Sequence, residues 1–239
     1  MSGSTFAFKQ FVIQQDKCAM KVGTDAVLLG AWVFPNGSKT ILDIGTGTGV
    51  IALMLAQKTS LAQITAIDID PNAIEQASIN FKESKFNERL NAKNISLQEF
   101  AKSTEEKFDL IVTNPPYFVG SLKSSDTNRS TARHAETLPY LELIEGVKKL
   151  LNPKGKFCLI LPKNEAISFR EMAEAKGFHL SKLLRVRTRL DKDTEKRHVM
   201  QFEFHPTEFS ESTLVIEKDS RQSYTDEYKN LTKDFYINF

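Results

Sequence analysis

Asn114-Pro115-Pro116-Tyr117 is the most chemically specific stretch of this 239-residue chain. It follows an apolar run of strand length, Phe108 to Thr113, and so stands where an open α/β sheet delivers side chains to a ligand. An exocyclic amino group conjugated to a ring or a carbonyl is a poor nucleophile, because its lone pair is delocalised. The Asn114 side-chain carbonyl and the Pro115 main-chain carbonyl can each accept one N–H of such a group and aim its lone pair, so that placement does the catalysis. Pro116 stiffens the turn, and Tyr117 offers a face for a planar substrate, a contact worth roughly 1–3 kcal/mol per base in nucleic-acid complexes. Asn-Pro also begins ordinary turns, which is the plainer reading of the same residues. No general base stands in the motif and none is required, since an alkylated amine is strongly acidic and loses its proton to water.

A second group of residues indicates what would be transferred. Asp43-Ile44-Gly45-Thr46-Gly47-Thr48-Gly49 follows a strand-like ILDI and opens a helix, so its glycines let a ligand approach the backbone closely. A Gly-x-Gly-x-Gly turn alone also suits a dinucleotide site or a structural turn. Three acids narrow the choice. Asp43 precedes the glycines where a hydride-transferring enzyme usually carries an apolar residue, and can help hold a cationic ligand bearing an amino acid. Asp68 ends the next strand, where a carboxylate accepts from both ribose hydroxyls, whereas Asp70, before Pro71, reads as a helix cap. Glu99-Phe100, after a third strand-like stretch, offers an acceptor for an adenine amino group and a ring to pack on it. With Thr46 and Ile69 these residues form the expected cofactor set, and they favour S-adenosylmethionine over a nicotinamide cofactor.

The elements that must position these groups alternate in βα order. Ile41 to Ile44, Gln63 to Asp68, Asn94 to Gln98, Phe108 to Thr113 and Lys156 to Pro162 read as strands. Val50 to Lys58, Pro71 to Ser84, Leu138 to Leu151 and Glu165 to Lys176 read as helices, the second burying Ile74, Ala77, Ser78 and Phe81, the last capped by Asn164 and closed by Gly177. Leu180 to Arg189 and Arg197 to His205, joined by LDKDTEK, predict an antiparallel hairpin. Tyr117 to Glu136 is the one long loop. One domain over residues 1–239 is expected, with a cofactor-covering segment at 1–40, a core at 41–206 and a C-terminal strand and helix at 207–239.

Composition is ordinary for a globular protein, with 41% hydrophobic and 26% charged residues and a net charge of +2. From Lys182 to Arg197, however, seven basic residues face three acids, a local excess of four. A solvated hairpin and a phosphate-contacting surface both fit that excess. No stretch approaches the roughly 18 apolar residues needed to cross a bilayer and no secretory leader is evident, so a cytoplasmic location is expected. Cys18 and Cys158 read as free thiols. His134, His179, His198 and His205 have no zinc-like spacing, so no metal is expected.

The order DIGTGTG, AIDIDPNA and FDLIVTNPPYF resembles the amino-methyltransferases of adenine and of the release-factor glutamine side chain, which share NPPY. The flanks Phe8 to Trp32 and Ala132 to Leu143, with the ending YTDEYKNLTKDFYINF, resemble the bacterial valine-tRNA adenine-37-N6 methyltransferase family across nearly the whole chain. The resemblance implies a Rossmann-like class I methyltransferase: α/β, with a mostly parallel seven-stranded sheet, a C-terminal antiparallel hairpin and helices on both faces. It implies S-adenosylmethionine-dependent methylation of the adenosine just 3′ of the anticodon in a valine tRNA. Asp43, Gly45, Gly47, Asp68, Glu99 and Asn114 would bind the cofactor or bridge it to the base, which Asn114 to Tyr117 would hold. Thr24, within Lys21 to Asp25, would help close the segment over the methionine end of the cofactor; a helix start capped by Thr24 or Asp25 is the plainer reading. Arg129, Arg133, His134, Arg185, Arg187 and Arg197 are the candidate phosphate contacts, and each also reads as a solvated or paired charge. Glu99 departs from the Asp common in adenine enzymes. No membrane, metal or obligate protein partner is implied. The alternative is a release-factor glutamine-N5 methyltransferase, which more often carries a further N-terminal helical domain, whereas only about 40 residues precede the first strand here. A silent RNA-binding domain is disfavoured by the intact Asn114 to Tyr117 motif, because binding RNA does not need it.

Overall fold

Strand runs that are apolar on both faces can be buried only between two layers of helices. The computed structural model describes residues 5–18, 20–116 and 140–239, and these fold in that way. β1 (Thr5–Ala7) and β2 (Val12–Gln14) form a small antiparallel hairpin, followed by α1 (Thr24–Trp32). Next come β3 (Thr40–Ile44), α2 (Val50–Lys58), β4 (Gln63–Asp68), α3 (Pro71–Glu83), β5 (Leu90–Asn94), α4 (Leu97–Ser103) and β6 (Phe108–Thr113). The chain continues through α5 (Tyr140–Leu150), β7 (Leu151–Pro162), α6 (Lys163–Ala175), β8 (His179–Arg189), β9 (Glu195–Glu203), β10 (Ser210–Glu217) and α7 (Asp226–Thr232).

The main sheet has the order β10-β8-β9-β7-β6-β3-β4-β5, and β9 alone runs against its neighbours. It has eight strands where seven are expected from the sequence, because the C-terminal strand β10 adds in parallel to the β8 edge. Side-chain alternation divides the core. Ile41, Cys158 and Ile160 face α1, α2 and α3, whereas Leu42, Phe157, Leu159 and Leu161 face α4, α5 and α6. Helix α2 is buried from Val50 to Ala56, as an all-apolar VIALMLA requires.

Three local expectations are corrected. The strand expected at Asn94 to Gln98 ends at Asn94, and the rest begins α4, because Ser96 accepts from Glu99 N while Glu99 reaches back to the Ser96 backbone in a full capping box. Helix α6 starts at Lys163 with Pro162, not Asn164, in the cap position. Ser78 of α3 is exposed and Ile74 only partly buried; the inner face is Ala73, Gln76, Ala77, Asn80 and Phe81. Asp70 caps α3 through Asn72 N as expected, and Gly177 ends the turn after α6 at φ +90°.

Candidate active site at the carboxyl edge of the sheet

The glycine turn is built by β3 and pinned by β4. Gly45 N and Thr46 N both donate to Ile67 O, at 2.9 and 3.1 Å, which bends the chain sharply past the end of the sheet. Gly45, Gly47 and Gly49 all take positive φ, at +68°, +55° and +81°. Their surroundings differ. A Cβ on Gly49 would come within 2.5 Å of the Phe81 ring, so this glycine lets α2 start against α3. A Cβ on Gly45 or Gly47 would meet nothing within 4 Å, so these two keep backbone open toward a ligand.

Two acids frame that opening. Asp43 is fully buried; its Oδ2 accepts from Thr46 Oγ1 at 2.7 Å, while Oδ1 has no protein partner. Burial pushes its pKa up to about 7, against the Thr46 hydrogen bond that lowers it and with the nearby Asp68 charge that raises it. Asp68 stands at the end of β4, where Oδ2 accepts from Gly47 N at 2.9 Å and Oδ1 from Asp70 N at 3.0 Å. Burial raises its pKa as well. Asn94 Nδ2 donates to both Asp68 O and Ile69 O, fixing this corner while the Ile69 side chain is left 49% exposed.

The third wall comes from β6. Ile44 pairs with Thr113, and Thr113 Oγ1 donates to Ile44 O at 2.8 Å, so Asn114 leaves the sheet beside Gly45. Asn114 is half-buried, Pro115 buried and Pro116 exposed. Asp43, Gly45, Thr46, Gly47, Asp68, Ile69, Asn114 and Pro115 are thus brought to one edge. Tyr117, Arg129, Arg133 and His134 lie outside the described residues.

Glu99 and Phe100 stand differently from their expected place, in the first turn of α4. Exposed Glu99 accepts from Ser96 Oγ at 2.7 Å, which holds its carboxyl below the usual range. Phe100 is buried 6.1 Å from Phe108, with Lys93 Nζ 5.3 Å above its ring. Thr24 is exposed at the start of α1 with Gly23 in the cap position, so neither Thr24 nor Asp25 caps the helix. Asp25 instead accepts from Arg197 Nε at 2.8 Å.

The β8–β9 hairpin also points its tip to the carboxyl edge, because β8 runs in the direction of β7 and Arg197 pairs with Pro162. Its arginines are engaged within the protein. Arg185 meets Glu195 at 3.3 Å and Glu211 at 3.1 Å, Arg187 meets Asp193 at 3.3 Å, and Arg189 meets Asp191 at 2.8 Å. Glu195 also bonds His198 at 3.0 Å and is held down near 2, first by that bond and then by Lys163 and Arg185. Lys192 and Lys196 are exposed and form no ion pair among the described residues.

Sequence reasoning passed over Gln76 and Asn80, two buried amides one turn apart on α3, although a polar i,i+4 pair on the face that carries Ala73 and Ala77 was a visible signal. Among the described residues no cluster of three or more His, Cys, Asp or Glu could hold a metal, and no helix is long and apolar enough to cross a membrane.

Comparison with known proteins agrees with this geometry. The family model of the methyltransferase small domain matches residues 19–178. A tRNA1(Val) (adenine(37)-N6)-methyltransferase of Bacteroides fragilis is 45% identical, over 99% of this chain and 99% of its own. A protein of the same name from Trichodesmium erythraeum is 42% identical over the full length of both chains. Among solved structures, a predicted O-methyltransferase of Agrobacterium tumefaciens superposes with a TM-score of 0.69 at 14% identity, covering 88% of this chain and 96% of that one. A ribosomal protein L11 methylase of Lactobacillus delbrueckii superposes at 0.51 and 17% identity, over 74% and 76% of the chains. At those identities the likeness is one of fold.

Proposed function

The chain belongs to the tRNA1(Val) (adenine(37)-N6)-methyltransferase family, and from that premise we propose that it methylates N6 of adenosine 37 in a valine tRNA, in the cytoplasm, as a single catalytic unit. S-adenosylmethionine is the cofactor of this family, and the residues present fit it. The open backbone at Gly45 and Gly47, the unpartnered buried Asp43 Oδ1 and the Asp68 carboxylate at the sheet edge form a cradle for a ligand carrying positive charge and ribose hydroxyls. When bound, the cofactor supplies an electrophilic methyl group on a sulfonium.

The observation that carries the proposal is the contiguity of that cradle with Asn114-Pro115 through the Thr113 to Ile44 hydrogen bond. Asn114 and Pro115 accept the two N–H groups of the adenine amine, Tyr117 stacks on the flipped base, and water takes the proton released after transfer. Asp43, Thr46, Asp68 and Ile69 hold the cofactor, with Thr24, Glu99 and Phe100 as its outer contacts. Phosphate contacts are assigned to Arg129, Arg133 and His134 beyond Asn114-Pro115-Pro116, and to Lys192 and Lys196, which carry the unpaired charge of the hairpin that Arg185, Arg187 and Arg197 shape through their ion pairs.

The test is transfer of tritiated methyl from S-adenosylmethionine to total tRNA of a strain lacking this gene, read by nucleoside mass spectrometry. N6-methyladenosine in a valine tRNA is the expected product. Label entering a release factor in place of tRNA would overturn the substrate.

A further inference from the structure

Residues 14–18 and 20–22 cross in front of α3 as a strap between the β1–β2 hairpin and α1. Of their apolar side chains, Val22 alone packs against the core. The strap is instead fastened by side-chain amides to its backbone. Asn80, 1% exposed, accepts from Gln14 N at 2.8 Å through Oδ1 and donates from Nδ2 to Gln14 O at 2.9 Å. The second proton of the same Nδ2 goes to Thr48 O at 2.8 Å, between Gly47 and Gly49 of the ligand-facing turn. Gln76, fully buried one turn earlier, accepts from Lys17 N at 2.9 Å, and Gln15 Oε1 accepts from Val22 N at 2.9 Å. The strap then passes close enough to the cofactor edge for the charges of Asp68 and Asp70 to act on Cys18, whose thiol is pushed up to about 11 by burial first and by those acids second.

Asn80 therefore has an arrangement that packing alone does not require. Both amide protons and the carbonyl are used, and reversing the amide would set its oxygen against two carbonyl oxygens, so the side chain has one orientation. In that orientation it is a single rigid group bonded to the glycine turn on one side and the strap on the other. We propose that Asn80 is a positioning residue that couples the strap over the cofactor to the glycine turn beneath it, so that cofactor binding and strap placement stabilise each other. It touches no reacting atom, and its loss weakens the cofactor without slowing the chemistry once the site is filled.

Two variants and two readouts test this. S-adenosylmethionine affinity is measured by equilibrium dialysis, and the alkylation rate of Cys18 is followed with and without S-adenosylmethionine, buried Cys158 serving as the internal reference. In the wild type, the cofactor slows Cys18 alkylation. Asn80→Ala is expected to raise the dissociation constant about tenfold, to abolish the cofactor's protection of Cys18, and to leave kcat at saturating cofactor within about threefold of wild type. Gln14→Pro removes the strap-side N–H, together with the side-chain bond from Gln14 Nε2 to Glu83, and leaves the Thr48 bond, so it loses the protection even where Asn80→Ala fails to fold; Gln14→Ala loses the same side-chain bond but keeps both backbone bonds, and behaves as wild type. A lowered melting temperature with affinity and Cys18 protection both at wild-type values would make Asn80 a merely structural residue and overturn the coupling. So would a wild-type Cys18 that alkylates at the same rate with and without bound cofactor. Failure of the wild type to bind S-adenosylmethionine at all would strike at the cofactor assignment instead, and dialysis separates the two.

Discussion

The glycine turn and the β8–β9 hairpin reach the same edge of the sheet, and both are rich in polar groups, yet they differ in what those groups have already bonded. At the glycine turn, backbone is left uncovered at Gly45 and Gly47, and a fully buried carboxylate keeps one oxygen without a partner. At the hairpin, Arg185, Arg187, Arg189 and Arg197 are each matched by an acid at 2.8 to 3.3 Å. A buried polar atom without a partner is costly, so a fold keeps one where a ligand supplies the missing bond. Exposed ion pairs cost and contribute little, and a basic count in a sequence says only that charge is present. An unpartnered carboxylate oxygen beside open glycine backbone therefore marks the cofactor half, whereas the hairpin's arginines, Arg185 with only its Nε left unbonded, chiefly shape the hairpin and leave Lys192 and Lys196 to present its charge.

The sharpest break in that contrast is Asn114→Ala, expected to lower turnover by at least about 10²-fold, the scale of losing one preorganised transition-state hydrogen bond. Single-turnover methylation should show that loss while filter binding shows tRNA affinity within about threefold; equal loss of both would remove the distinction between chemistry and docking. Asp68→Ala comes next. It deletes the acceptor of Gly47 N and Asp70 N and, with it, the proposed ribose contact, so cofactor affinity measured by calorimetry should fall about tenfold to hundredfold.

Asp43 supplies a pH test. Its folded pKa of about 7 lies above the ordinary 3.8, so the folded ligand-free protein holds a proton that the unfolded chain has released. That contribution to stability is complete below the ordinary value and is lost as pH rises from roughly 4 through 7. Urea unfolding of the ligand-free protein across that range should fall with pH, and Asp43→Asn should flatten the slope. Cofactor affinity should run the other way, rising with pH as the carboxylate forms. The smallest effects belong to the hairpin. Arg185→Ala should cost about 1 kcal/mol or less of stability, read by chemical denaturation, with the salt dependence of tRNA binding unchanged. Lys192→Ala or Lys196→Ala should leave stability alone and reduce the slope of log affinity against log salt by about 0.7–0.9 for each phosphate left without its lysine.

Most of the core was legible because the strands that carry the site are short, apolar and bounded by Gly, Asp or Pro, and their helices repeat every three or four residues. The same clarity extended to where Asp43, Gly45, Gly47, Asp68 and Asn114 stand, at or just past the carboxyl end of a strand. Legibility failed between Asn94 and Gln98, read as a strand, where the Ser96 to Glu99 capping box begins a helix instead. It failed at α3 because, although Gln76 and Asn80 share the face of Ala73 and Ala77, no local pattern says which segment's backbone a polar residue on that face meets.

By itself the sequence determined the βα order, the ligand-facing turn and the Asn-Pro-Pro motif, since each depends on residues adjacent in the chain and on the stereochemistry of Gly and Pro. Only the tertiary structure decided which charges are already paired and which amides clamp the strap. Many of those bonds join residues far apart in the chain, 66 positions for Asn80 to Gln14 and 172 for Arg197 to Asp25, and such partners are chosen by where the folded sheet brings them together.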